Sequence, residues 1–171
     1  MILSSYSATI SIVDTLGNTK LLEEHQVESN MQEKVVSCYI ASEVGQRFTI
    51  KVENDDPSEE NRVTLALDGL NVHSAILDST SRSFSFTSVC MAEDKCRYLQ
   101  FSKLNVTNDE NALSTSQRQW EQVGTIKTIY CIDITLISKG KRNKGLKDTA
   151  CLADDGSIHE LSKKAGAHCI G

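Results

Sequence analysis

The chain is predicted to be all-β: an antiparallel, jelly-roll-like β-sandwich of about eight strands, closed by a short C-terminal helix. Three observations carry this. Apolar residues recur at every second position in short runs, the period of a strand with one buried face. Turn-forming residues separate the runs at close intervals. No stretch between runs has the length and 3.6-residue period of the helical crossover that a parallel sheet requires. Each strand carries one apolar stripe, so two sheets must face each other to bury it.

The elements follow in order. "SYSATISIV" places Tyr6, Ala8, Ile10 and Ile12 on one face. "VVSCYI" is a further strand, and "RFTIKVE" aligns Phe48, Ile50 and Val52 against Arg47, Thr49, Lys51 and Glu53. "NDDPSEEN", with the only proline, is a solvated turn. "RVTLALDG" turns Val63, Leu65 and Leu67 inward and ends in Asp68-Gly69, a turn dipeptide. "NVHSAIL" and "RSFSFTSV" continue, with Phe84 and Phe86 sharing a face, and "CRYLQF" presents Leu99 and Phe101. "NDENALSTSQRQWEQV" is a short helix or a long loop, anchored by Trp120. "GTIKTIYCIDITLI" reads as the longest strand, with Ile126, Tyr130, Ile132 and Ile134 on one face and Ile129 and Cys131 on the other, and is expected to be covered on both sides.

The closing "DDGSIHELSKKAGAHCIG" carries helix signals. Ser157 and Glu160 form a capping box, Ile158, Leu161 and Ala165 share a helical face, Lys163 and Lys164 suit the last turn, and Gly166 is a stop. A helix over 158–165 is expected, too short to persist alone and docked on the body or on a partner.

Charge divides the chain into a 1–138 sandwich domain and a 139–171 segment of basic linker and helix. Residues 1–138 carry 11 Lys+Arg against 19 Asp+Glu, and residues 139–171 carry 7 against 4. An acidic body bears a basic tail. "KGKRNKGLK" concentrates Lys139, Lys141, Arg142, Lys144 and Lys147. It reads as a solvated linker, or as a nuclear import signal or phosphate-contacting patch. It has no interleaved aromatic for base stacking.

No window is apolar enough to span a membrane, and the N-terminus lacks the pattern of a secretory signal. An intracellular, cytoplasmic or nuclear location is therefore expected. Cys38, Cys90, Cys96, Cys131, Cys151 and Cys169 are expected as reduced thiols, and the Asn105 sequon as unused.

Catalytic motifs are sparse. "HELSK" begins like the H-E-x-x-H zinc motif, but Lys163 stands where the second imidazole belongs. Cys151, His159, His168 and Cys169 could supply four metal ligands, at irregular spacing. There is no G-x-S-x-G elbow and no phosphate-binding glycine loop. His25 and His73 stand singly, His73 as a half-exposed strand residue, and the pairs Asp55-Asp56, Glu59-Glu60 and Asp154-Asp155 fall in turns. No catalytic residue, metal or cofactor is assigned. The expectation is a non-enzymatic module that binds a protein or other ligand. The alternative is a nuclear protein contacting nucleic acid through residues 139–147.

In order, "YIASEVGQRFTIKVEN", "LDG", "RSFSF", "GTI" and "IHELSKKAGAH" resemble an uncharacterised fungal family, found largely in mushroom-type fungi, labelled only as a domain of unknown function. The resemblance runs from about residue 6 through nearly the whole chain. It implies a β-rich domain with a helical appendage and brings no activity, cofactor or catalytic residue. Relatives commonly continue past "KKAGAH", so the chain reads as a short or truncated member.

Overall fold

Phe48, Ile50 and Val52 are all buried, as are Val63, Leu65 and Leu67, so the period-two stripes of the two most regular runs meet in one core. The computed structural model describes residues 1–56, 58, 60–92, 95–103, 105–107, 122–131, 157–159 and 169–170. Its strands are β1 (Ile2–Leu3), β2 (Tyr6–Val13), β3 (Thr19–Leu21), β4 (Glu24–Asn30), β5 (Val35–Ile40), β6 (Arg47–Asn54), β7 (Asn61–Leu67) and β8 (Leu70–Leu77). They continue as β9 (Ser83–Phe86), β10 (Ser88–Ala92), β11 (Lys95–Tyr98), β12 (Phe101–Ser102), β13 (Asn105–Thr107), β14 (Ile126–Cys131), β15 (Ser157–His159) and β16 (Cys169–Ile170).

Two antiparallel sheets make the sandwich. One has five strands in the order β1-β2-β6-β9, with β3 also on β2; the other has three, β14-β7-β8. The first contributes Ala8, Phe48, Ile50, Val52 and Phe86 to the core, the second Val63, Leu65, Leu67, Val72, Ala75 and Leu77. Val89, Leu99 and Phe101, from the chain beyond β9, complete the cluster. Each fully buried large side chain contributes about 1.5–3 kcal/mol relative to exposure.

Aromatic contacts bridge both margins of the sandwich. At one, the rings of Tyr6 on β2 and Tyr130 on β14 have centroids 4.6 Å apart. Their hydroxyls reach inward: Tyr6 donates to Asn61 Oδ1 at 3.0 Å, and Tyr130 to the Ser7 carbonyl at 2.7 Å. Asn61 is thereby buried with its oxygen satisfied. At the other margin, His73 on β8 stacks on Phe84 at 5.9 Å and meets the edge of Phe86 at 5.4 Å.

The Asp68-Gly69 dipeptide forms the two-residue turn between β7 and β8, with Leu67 opposite Leu70. Both residues have positive φ, 49° and 82°, as a type I′ turn requires. The turn is fastened to the approach of β14. Asp68 Oδ1 accepts the Gly124 amide at 2.6 Å, and the Asp68 amide donates to the Thr125 carbonyl at 3.0 Å.

The closing segment departs from its sequence signature. Ser157–His159, where the helix was to begin, is the strand β15, running parallel to β13 with Ile158 opposite Val106. β16 pairs antiparallel with β12. Residues 160–165, the remainder of the expected helix, lie outside the described residues, and no helix occurs among those described. A two-turn helix is marginal by itself, so backbone partners on β13 outweigh a local capping signal. Two smaller expectations also change. The run "CRYLQF" divides between β11 and β12 rather than forming one strand. Ile129 and Cys131 lie on an exposed face of β14 instead of being covered.

Candidate functional site

The residues with catalytic potential are structural in their surroundings. His73 is half-buried between Phe84 and Phe86, and burial lowers its pKa. Among the described residues it hydrogen-bonds to no carboxylate of the kind that orients the histidine of a triad. Asp56 caps its own turn, accepting the Ser58 amide at 2.9 Å and hydroxyl at 2.6 Å. Those two bonds, the hydroxyl's first, hold its carboxyl below the usual range. Cys38 is half-buried on β5. Burial, then the Glu24 carboxylate, push its thiol up, away from the thiolate that a nucleophile needs.

Of the four candidate metal ligands, His159 and Cys169 fall on different strand pairs, β15 with β13 and β16 with β12, while Cys151 and His168 lie outside the described residues. No group of three or more His, Cys, Asp or Glu able to hold a metal occurs among the described residues. The basic run Lys139, Lys141, Arg142, Lys144 and Lys147 lies outside them as well, as does Trp120.

The expectation of six reduced cysteines is corrected at one pair. Cys90 and Cys96 form a disulfide between β10 and β11. They are directly opposite in the register, with Cα atoms 3.9 Å apart. The spacing matches no familiar motif, because it is the hairpin that brings the thiols together. Cys38 and Cys131 are free.

What stands out is an element the alternation did not reveal. β4 pairs antiparallel with β5 and with neither sandwich sheet. Its root is fixed: Leu22 and Ile40 pack against the core, and Glu24 forms an ion pair with the Met1 ammonium. Beyond the root it is open to water. Met31 is 71% exposed, Tyr39 69%, Val27 54% and Val35 47%. Elsewhere, Leu16 and Val44 sit singly in turns, and the other exposed apolar residues, Ile2, Leu21, Ile76, Tyr98 and Ile129, are distributed over five different strands, as is ordinary for a protein surface.

The register assigns the hairpin's faces. His25 lies opposite Tyr39, Glu28 opposite Ser37 and Asn30 opposite Val35; directly opposed residues share a face. Tyr39 and Val35 therefore line one outer face together with His25 and Glu28. The other face carries Val36, Cys38 and Ile40, the half-buried positions of β5. A bulge lies between His25 and Glu28, where Gln26 has φ 50°. At the tip, Asn30 Oδ1 accepts the amides of Gln32 at 3.1 Å and Glu33 at 3.2 Å. That side-chain turn is the local signal in "ESNMQEKVV" that a hairpin forms here.

Two facing antiparallel sheets with a separate two-stranded hairpin define a β-sandwich domain. Residues 13–165 match the model of a family described as a domain of unknown function, DUF7918. The chain belongs to that family, and the hairpin lies within the matched residues. Comparison with curated proteins and comparison with solved structures each returned no match.

Proposed function

We propose that this chain is a non-enzymatic protein-binding module whose contact element is the β4–β5 hairpin. One observation carries the reading: a hairpin that belongs to neither sheet holds Met31, Tyr39, Val27 and Val35 in water. Tyr39 and Val35 share one outer face, with Met31 at the tip and Val27 at the bulge, and this concentration of exposed apolar side chains on one small element supports an interaction role. The surroundings of His73, Asp56 and Cys38 favour a structural role for each over catalysis. The order of the short motifs also supports reading the chain as a fungal member of its family.

The test is affinity purification under native conditions with the whole chain and with a Met31→Ser/Tyr39→Ser variant of unchanged denaturation midpoint. Proteins retained by the parent and lost from the variant are expected. Equal retention by both refutes the reading, as does retention by neither.

A second reading places nucleic-acid contact, with nuclear import, on Lys139, Lys141, Arg142, Lys144 and Lys147. The segregation of basic charge into the last part of an acidic chain favours it. Changing Lys141, Arg142 and Lys144 to alanine should then abolish nuclear accumulation and flatten the salt dependence of binding to duplex DNA. An unaltered distribution rejects it.

A further inference from the structure

We infer that the hairpin's partner is a linear protein segment carrying apolar residues interleaved with Lys or Arg, laid across the face that bears Tyr39, Val35, His25 and Glu28. This rests on the hairpin being the contact element.

Charge gives the partner its sign. Glu23, Glu28 and Glu33 are exposed, and none forms an ion pair among the described residues. Lys20 and Lys34 are the only Lys or Arg residues between positions 18 and 40, where His25 is the one histidine. The excess of acid over base across residues 1–138 adds a field that steers cations toward the body. Glu28 on the face, with Glu33 in the adjoining turn, complements a segment in which cations flank apolar anchors.

Size gives the partner its shape. β5 has six residues, about 20 Å at roughly 3.3 Å per residue, and two strands are about 10 Å across. A face of about 200 Å² is well short of the roughly 800 Å² per partner of a standard globular interface. It suits an extended segment. A second copy fits poorly, because a face of this area is far short of what a stable dimer buries. Strand addition along β4 is also disfavoured, since the bulge at Gln26 interrupts its ladder. Recognition therefore falls to the side chains of the face.

The experiment uses the full chain and three short labelled peptides, alternating Leu with Lys, Leu with Glu, and Ser with Lys, read by fluorescence anisotropy. The Leu/Lys peptide should bind tightest and weaken as salt is raised. A Glu28→Lys/Glu33→Lys variant should lose about tenfold in affinity for it and turn to the Leu/Glu peptide. The Met31→Ser/Tyr39→Ser variant should lose binding without exchanging preference. If the parent binds Leu/Glu as well as Leu/Lys, the partner chemistry is wrong, while sensitivity to Met31→Ser/Tyr39→Ser leaves the hairpin as contact element. Binding indifferent to both variants, or no binding of any peptide, overturns the inference. So does a dimer in sedimentation that the Tyr39 change dissociates, which would make a second copy the occupant.

Discussion

Replacing Gly69 with alanine tests whether the β7–β8 turn is clamped from outside or merely left-handed. Gly69 has φ +82°, and a Cβ built there lies 2.9 Å from Gln122 Cβ and 3.2 Å from its Cγ. A non-glycine residue in this conformation costs about 1–2 kcal/mol. Relief of the contact to about 3.5–4 Å requires Gln122 to retreat. Its Cβ is fixed to a backbone turn that Asp68 holds through Gly124 and Thr125, so rotating the side chain does not release it. Overpacking of this kind adds about 1–3 kcal/mol. The sum is about 2–5 kcal/mol, or about 5–15 °C in Tm for a chain of this size. Gly17→Ala is the internal control: its φ is +84°, but no atom lies within 4 Å of the added Cβ, so only the conformational cost applies. Urea denaturation of both variants at constant m separates the two contributions. Equal destabilisation of the two, within about 0.5 kcal/mol, would refute the clamp.

The disulfide joins cysteines six residues apart, and closing so short a loop stabilises by about 2 kcal/mol on the chain-entropy account. Dithiothreitol should lower the urea midpoint of the parent accordingly and leave a Cys90→Ser/Cys96→Ser variant unmoved. Burial is the chief cause pushing the Tyr130 hydroxyl up to about 12 from an ordinary value of 10.0. The unfolded chain releases this proton first, so stability falls as pH rises from about 10 to 12; after allowance for solvent screening the loss is about 1–1.5 kcal/mol. Tyr130→Phe should flatten denaturation midpoints across that window, and phenolate absorbance of the folded parent should lag that of free tyrosine. His73 is shifted the other way, its pKa lowered by burial. The unfolded state therefore takes up the proton first, and stability drops as pH falls below about 6.5. His73→Leu should remove that part of the acid sensitivity in a pH series of denaturation midpoints. Leu65→Ala, at a fully buried core position, should cost about 2–5 kcal/mol in the same assay.

The strands that pack were legible because burial writes itself as alternation. β6 has one face buried and the other open, and its sequence says so residue by residue. The turn at Asp68-Gly69 was legible for a related reason, since few dipeptides tolerate two positive φ angles. β4 was not. With neither face on the core, nothing required its side chains to alternate, and "EHQVESN" reads as polar chain. The candidate site was hidden by the property that makes it a candidate. Cys90 and Cys96 were hidden differently: partners across a hairpin are set by register, which their spacing along the chain does not state. At Ser157–His159 the local signal was genuine but weak, and long-range pairing with Asn105–Thr107 prevailed over it.

Folding and the proposed recognition are separable in this architecture. The sandwich is bridged at one margin by Tyr6 and Tyr130 and at the other by His73 and Phe84, so its core does not depend on cover from the hairpin. Only the hairpin's root, through Leu22 and Ile40, reaches that core. Met31 and Tyr39 consequently add little to stability, and selection for folding alone gives no reason to keep apolar side chains there. Exposed serines would serve the fold equally well and lower the tendency to associate. On the proposed reading, the sandwich is the scaffold and the exposed side chains of the hairpin, held at a fixed root and clear of the core, are the contact element.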